Sequence, residues 1–252
     1  MVTPPRPAGD PVALLPDELR RAPLVFVDDL DVPEVGDGDR HHLHRVLRLR
    51  AGEEVCLGDG RGQWRTAVWK GPGVGGAGLV GDLGGVHRMV RATPEITVGV
   101  ALAKGSRTEW MVQKLTEVGV DRIVLLATDR GVVRWPAGEE SRRLGRLEAV
   151  VRAAASQSRR VWLPRVVAPV AVAAVGGPGG VVEGPVAACE PGGGPLSLAH
   201  PTVLVGPEGG FTERELGAVD AQVGLGQGIL RVETAALAAG VLLATQRGQV
   251  TT

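Results

Sequence analysis

The sequence has no tyrosine, no asparagine, only two cysteines and, among its 28 basic residues, only three lysines (Lys70, Lys104, Lys114). Cys56 and Cys189 stand far apart, which excludes a disulfide framework and any paired-cysteine metal spacing. His41, His42 and His44 cluster, but no carboxylate or cysteine completes a ligand set, so no metal is expected. No unbroken apolar run approaches the length that crosses a bilayer, so no membrane partner is expected. Residues 1–16 lack a charged start before an apolar core, so no secretory signal is read there and a reducing cytoplasm is the expected location. Net charge is also missing: 28 basic residues balance 28 acidic ones, which leaves no overall field to draw in nucleic acid. The preference for arginine over lysine, beside 38 glycines, reflects genomic base composition better than function.

What is present is enough for a sizeable core. The 252 residues are 44% hydrophobic and allow one large domain or two small ones. Charge is unevenly spread. Residues 1–39 are strongly acidic, whereas His41–Arg50 and Arg134–Arg165 are arginine-rich stripes that suit phosphate or serve as solvated helix faces.

The most informative stretch is Thr202–Glu215, TVLVGPEGGFTERE. Thr202–Val205 reads as a buried strand that runs into a Gly206–Gly210 turn. Thr212 and Glu215 form a capping box for a following helix, with Phe211 and Leu216 as its hydrophobic staple. The turn has neither the lysine of a phosphate loop nor the glycine spacing of a dinucleotide fingerprint. A second stretch, Leu225–Ala239, LGQGILRVETAALAA, reads as a short strand at Ile229–Arg231 followed by an apolar helix opening at Glu233. Two strand-to-helix turns so close together suggest loops converging at the carboxyl ends of parallel strands.

Upstream, the first third reads as a small β-rich module. Leu24–Val27 is a strand, and Asp39 caps a helix to about Leu49 with Leu43, Val46 and Leu47 as its apolar stripe. His41, Arg45 and Arg48 share the opposite face. Val55–Leu57 and Trp64–Trp69 pair across Asp59–Gly62 as a hairpin, and Leu79–Leu83 follows a Gly-rich link as a further strand. A boundary falls near Val90–Pro94, giving an expected first domain over residues 1–90 and a second over 91–252. In the second, strand Ile96–Ala103, a helix from a Ser106/Glu109 capping box to Val118 and strand Ile123–Ala127 make a βαβ unit. Glu139–Ser158 reads as a long helix, and Val181–Cys189 holds another strand.

LVGPEGGFTERE followed by LGQGILRVETAALAA resembles the C-terminal signature of the ribosomal RNA small subunit methyltransferase E family, knotted methyltransferases of the SPOUT superfamily. The likeness extends along most of the chain. Lys104–Val120 resembles the family's lysine-to-ELGV segment, with Lys114, Glu117, Gly119 and Val120 in place. Thr128-Asp129-Arg130 and Gln157-Ser158-Arg159-Arg160 resemble two further motifs, and HHLHRVLRLRAGEEV falls in the PUA-like part. Departures are Gly131 where Ser or Thr is usual, Ser156 in place of Glu, and Gly228 in place of Arg.

The resemblance implies an α/β fold: a SPOUT-type parallel-sheet methyltransferase domain with a trefoil knot, preceded by a small β-rich PUA-like domain, dimerising across the knotted region. It implies S-adenosylmethionine as cofactor and N3 of a uridine in 16S rRNA of the small ribosomal subunit as substrate. Gly206, Pro207, Glu208, Gly209 and Gly210 are the expected cofactor residues of the first loop. Leu225, Gly226, Ile229 and Leu230, then Glu233, Thr234 and Ala235, are those of the second. His41, Arg45, Arg48, Lys104, Arg107, Gln157 and Arg160 are expected at RNA. Arg231 is expected to stabilise the uridinate and Glu208 to accept its proton. The alternatives are structural: Glu208 bonding loop amides while water takes the proton, and Arg231 pairing with Glu233 or Glu208. Rival functions are a knotted methyltransferase acting on tRNA or another rRNA base, and a non-catalytic ribosome assembly factor.

Overall fold

The computed structural model describes residues 15–72 and 79–250. The sequence readings for residues 1–14 and for the Gly-rich link at 73–78 lie outside the described residues.

The first part of the chain builds a five-stranded sheet. After helix α1 (Asp17–Arg21), strand β1 (Leu24–Phe26) pairs in parallel with β2 (Glu54–Gly58). β2 pairs antiparallel with β3 (Gln63–Gly71), which takes β4 (Leu79–Gly81) and β5 (His87–Arg88). The expected hairpin is there, because Asp59 Oδ1 accepts from the amides of Arg61 at 2.7 Å and Gln63 at 3.0 Å and closes its turn.

The helix expected from Asp39 to Leu49 takes another form. Helix α2 (Asp37–His41) starts after Gly36 without a side-chain cap, then widens into a π-helical turn at His42–Val46. The Leu47 amide reaches the His42 carbonyl at 2.9 Å, five residues back, and this wider turn rotates the later side chains out of register. Leu43 is buried, but Val46 and Leu47 are left 60% and 46% exposed, so the expected apolar stripe is reduced to one residue. Arg48 has φ 54° and lies beyond the helix, so the basic face shared by His41 and Arg45 does not extend to it.

The second sheet is six-stranded, parallel throughout, in the order β11-β9-β10-β6-β7-β8. Its members are β6 (Thr97–Ala101), β7 (Arg122–Leu126), β8 (Arg165–Val170), β9 (Val186–Pro195), β10 (Thr202–Val205) and β11 (Ala221–Gly224). Helices α3 (Arg107–Glu117), α4 (Glu140–Ser158), the short α5 (Glu213–Leu216) and α6 (Val232–Val250) complete it. Both faces of the sheet are covered, which is why its strands read as unbroken apolar runs. Along β10, Val203 and Val205 join one core with Met111, Leu115, Ala239 and Leu243, while Leu204 joins the other with Val124, Leu126 and Phe211. Gly119, at φ 96°, ends the α3 segment as expected. The Ser106/Glu109 capping box does not form: Ser106 makes no side-chain cap, and Glu109 instead pairs with Arg146 of α4 at 2.8 Å.

The two sheets are joined through α4 and the turn after it. β1 is an edge strand, and its outward carbonyls are satisfied by α4 side chains: Ser156 Oγ donates to Leu24 O, and Arg152 Nη2 to Phe26 O at 3.0 Å. Trp162 Nε1 donates to Met89 O at 3.0 Å while its ring lies over Gly62, where a Cβ would come within 2.4 Å of the indole. Near this junction Asp121 is almost wholly buried. It accepts from the Ile96 amide at 2.9 Å, Arg160 Nη2 at 2.9 Å and Arg247 Nη1.

Candidate functional site

β10 lies between β9 and β6, where the strand order turns back on itself, the place at which parallel sheets open a crevice beyond their carboxyl ends. β10 ends at Val205 and the chain turns at once through Gly206–Gly210. Gly210 closes the turn at φ 69°, its amide donating to Pro207 O at 2.8 Å. The capping box forms as read from the sequence, and Phe211 and Leu216 pack in one cluster as its staple. The turn is pinned from the end of β7. Arg130 Nη1 donates to Gly209 O at 2.9 Å and Phe211 O at 3.1 Å. The Asp129 amide donates to Glu215 Oε1 at 2.9 Å, and Thr212 Oγ1 donates to Asp129 Oδ2 at 2.8 Å. Hydrogen bonds from Arg214 and Thr212 hold the Asp129 carboxyl below its ordinary range.

A crevice of about 300 Å³ opens between this turn, the segment leading into α6 and the Cys189–Pro191 stretch of β9. A smaller cavity of about 90 Å³ shares its walls and extends to Leu225, Gly226 and Gly228. Of the residues expected at a cofactor, Gly206, Pro207, Glu208 and Gly210 line the crevice from the first loop. Ile229, Leu230 and Ala235 line it from the second, with Leu225 and Gly226 in the smaller cavity. Gly209 faces Arg130, and Thr234 and Glu233 stand outside the lining, Thr234 on the surface.

The expected strand at Ile229–Arg231 is absent. The strand of this segment is β11, which pairs with β9; then Gly226 at φ 139° turns the chain off the sheet, and Ile229 is left 92% exposed. Sequence reading missed Cys189, Glu190 and Pro191. Their signal was present as a third apolar strand running into glycines, Val-Ala-Ala-Cys-Glu-Pro-Gly-Gly-Gly. Burial, with the charge of Glu190 adding to it, pushes the Cys189 thiol up to about 12, so the thiol itself is neutral there.

Charge is concentrated on one side. Arg107, at the start of α3, places Nη1 3.2 Å from Glu208 Oε1 and 3.8 Å from Glu233 Oε2, an oxygen that is buried and has no hydrogen-bond partner among the described residues. Glu208 therefore pairs with Arg107 rather than with loop amides. Arg231 borders the crevice, exposed, and forms no ion pair with Glu233 or Glu208. Lys104 is exposed beside Arg107, whose Nε donates to the Lys104 carbonyl at 3.3 Å.

The other residues expected at RNA are spread more widely. His41, Arg45 and Arg48 are exposed on and after α2, and Gln157 is exposed on α4. Arg160 is a correction: it points inward and donates to Thr116 O at 3.1 Å, Val120 O and Asp121, and burial pushes its guanidinium down to about 10. The three family departures have separate outcomes. Ser156 supplies the bond to Leu24 O, and a Cβ at Gly131 would stand 2.6 Å from Thr128 Oγ1. A Cβ at Gly228 would meet nothing within 4 Å. No group of residues able to hold a metal occurs among the described residues.

A family model for the RNA methyltransferase domain matches residues 91–244, and one for the RNA methyltransferase PUA domain matches residues 35–70. Ribosomal RNA small subunit methyltransferase E of Mycobacterium bovis is 34% identical over 256 residues, spanning 86% of this chain and 89% of its own length. The crystal structure of a ribosomal RNA small subunit methyltransferase E from Neisseria gonorrhoeae bound to S-adenosyl methionine is similar with a TM-score of 0.72 at 25% identity, covering 89% of this chain and 98% of that one. A Legionella pneumophila methyltransferase solved with bound cofactor shares the fold, with a TM-score of 0.76 at 24% identity over 89% and 98% of the two chains. With a third of its residues identical across most of both sequences, and a domain match over more than half its length, this chain belongs to the ribosomal RNA small subunit methyltransferase E family.

Proposed function

We propose that the crevice between Gly206–Gly210, Ile229–Ala235 and Cys189–Pro191 holds S-adenosylmethionine, and that the chain moves its methyl group to N3 of a uridine in 16S rRNA of the small ribosomal subunit. The observation that carries this is the meeting of the two loops on one glycine-lined crevice at the carboxyl end of β10, in a chain of this family. The walls fit the cofactor. Val205, Ile229 and Leu230 offer apolar surface to an adenine, and Glu190 offers a carboxylate to a sulfonium or a ribose. Glycine at 206 is demanded by the packing behind the loop, where a Cβ would come within 3.1 Å of the buried Phe211 ring.

When bound, the cofactor would supply an electrophilic methyl whose leaving group is a neutral thioether, so no acid is needed to help it depart. The chain's task is to make N3 nucleophilic. Uridine N3–H is a weak acid, and its proton must leave before the nitrogen pair can form the new N–C bond. Arg231, permanently charged at the rim, stabilises the uridinate oxygens. Glu208 takes the proton, held at the crevice edge by Arg107. Gly209, Glu233 and Thr234 act from behind the lining by shaping the loops.

Residues 1–90 form the RNA-binding part and 91–252 the methyltransferase part, with the C-terminal segment knotted through the cofactor loops. His41, Arg45, Arg48, Lys104 and Gln157 meet rRNA phosphates, which position the substrate without reading its bases. A homodimer is supported by apolar side chains left open on α6, where Val241 and Leu242 are each 41% exposed. The experiment is transfer from methyl-labelled S-adenosylmethionine, in the presence of a chelator, to unmethylated small subunits and to naked 16S rRNA. Label on the subunit in preference to the naked RNA supports this reading; no label on either, or loss with the chelator, overturns it.

A further inference from the structure

Among the described residues a second groove is larger than the crevice beside β10. This groove, of about 720 Å³, lies between α4 and the π-helical turn, on the side of the junction where Ser156 and Arg152 bind the β1 edge. One wall carries Leu43 and Leu47 and falls within residues 35–70, the span matched by the RNA methyltransferase PUA domain; the other carries Ala149 and Ala153 and falls within the methyltransferase domain. Leu47 is 46% exposed over it, an apolar side chain the fold leaves without cover.

The rim has the opposite character. His42, Arg152 and Arg159 border the groove, with Asp39 the one acidic residue there. Each guanidinium uses only part of its donor set internally: Arg152 Nη2 on Phe26 O at 3.0 Å, Arg159 Nη1 on Ser156 O at 2.7 Å. Arg159 ends α4 at φ 59°, a left-handed position where glycine would be unstrained. An arginine there is strained in its backbone and carries a cation to the rim. Burial raises the Asp39 carboxyl above its ordinary range, against the opposing charges of Arg152 and His42. The π-helical turn itself is a rare form concentrated at functional sites.

We infer that this groove is a second RNA subsite, which takes one unpaired nucleotide of the substrate, its base between Leu47 and Ala149–Ala153 and its phosphate on Arg152, Arg159 and His42. The volume suits a nucleotide, and a duplex, whose bases are stacked and paired, cannot enter it. Apolar walls under a cationic rim are the arrangement that single-stranded RNA fills by base contact and phosphate pairing together. Because its walls come from both modules, an inserted nucleotide clasps them at a fixed angle. The inference rests on the reading of the chain as an rRNA-modifying enzyme.

The test uses the full chain, fluorescein-labelled hexauridylate as the single-stranded probe and a twelve-base-pair RNA duplex as the comparator. Ala153→Trp fills the groove from an exposed helical position, and Arg159→Gly removes a rim cation while relieving the left-handed strain. Both variants should bind hexauridylate at least about tenfold more weakly, a loss within the range of one base contact. Duplex and cofactor affinities should be unchanged. Arg159→Gly should keep or raise Tm and lower the salt slope of hexamer binding by about 0.7, one phosphate contact. A purely structural arginine would give the reverse, a lowered Tm with full RNA affinity. Wild-type hexamer affinity in both variants overturns the subsite while leaving methylation by the wild type intact. So does a loss of small-subunit docking with hexamer binding preserved, which would make the occupant a ribosomal protein segment.

Discussion

Arg107 and Glu208, 101 residues apart in sequence, meet at 3.2 Å beside the crevice that Glu208 lines. Both are substantially exposed, so the pair adds under about 1 kcal/mol to stability, and its value lies in position. Glu208→Gln keeps an acceptor for Arg107 but has no carboxylate to take a proton. Single-turnover methylation should fall at least roughly tenfold, with cofactor affinity by calorimetry within about twofold. An unchanged rate would assign the proton to water and leave Glu208 as a partner of Arg107 alone.

Arg231 makes no ion pair among the described residues, which suits a group kept for substrate. Arg231→Ala should depress single-turnover methylation by at least roughly a hundredfold, about 2.7 kcal/mol, while S-adenosylmethionine still binds. Raising the pH should recover part of the rate, because more of the uridine is then already ionised. Lost cofactor binding without recovery at high pH would place Arg231 in the scaffold.

The two neighbouring glycines of the first loop should behave differently. Gly210 lines the crevice at φ 69°, where a β-branched residue is strained, whereas a Cβ at Gly209 meets only the Arg130 side chain, at 3.4 Å. Gly210→Val should weaken cofactor binding at least tenfold more than Gly209→Val does. Equal losses in calorimetry would mean that the loop approaches the cofactor by a different face.

Asp121 accepts from both Arg160 and Arg247 in the interior. Asp121→Ala takes the carboxylate away from the buried Arg160 guanidinium and strands the Ile96 amide, a loss of about 3–5 kcal/mol. Thermal unfolding should show Tm lowered by roughly 10 °C or more, with the crevice chemistry unaffected in the fraction that stays folded. A shift under about 2 °C would contradict the account of this triad.

Local signals made much of the architecture readable from the residues. The capping box at Thr212 and Glu215, the Asp59 turn and the apolar runs of β6, β7 and β10 are decided by near neighbours, and each formed as read. Where distant residues decide, the sequence was silent or misleading. Nothing near Arg160 announces that Asp121 will draw it inward, and nothing near Ser106 announces that Glu109 will serve Arg146 instead. The π-helical turn turns Leu47 outward in spite of a helical spacing, and β11 replaces the expected strand at Ile229–Arg231. At the crevice, the first loop was legible as a glycine turn after a strand, whereas the second was read from a strand at Ile229–Arg231 that does not form. The third wall at Cys189–Pro191 was not singled out, because its role depends on β9 lying beside β10.

The most direct test is nucleoside mass spectrometry of 16S rRNA from small subunits incubated with the purified chain and S-adenosylmethionine. The account predicts a single new N3-methyluridine, formed on subunits taken from a strain that lacks the enzyme and absent without cofactor. A methyl group on another base or on a ribose oxygen would contradict it, as would a modification appearing only on tRNA.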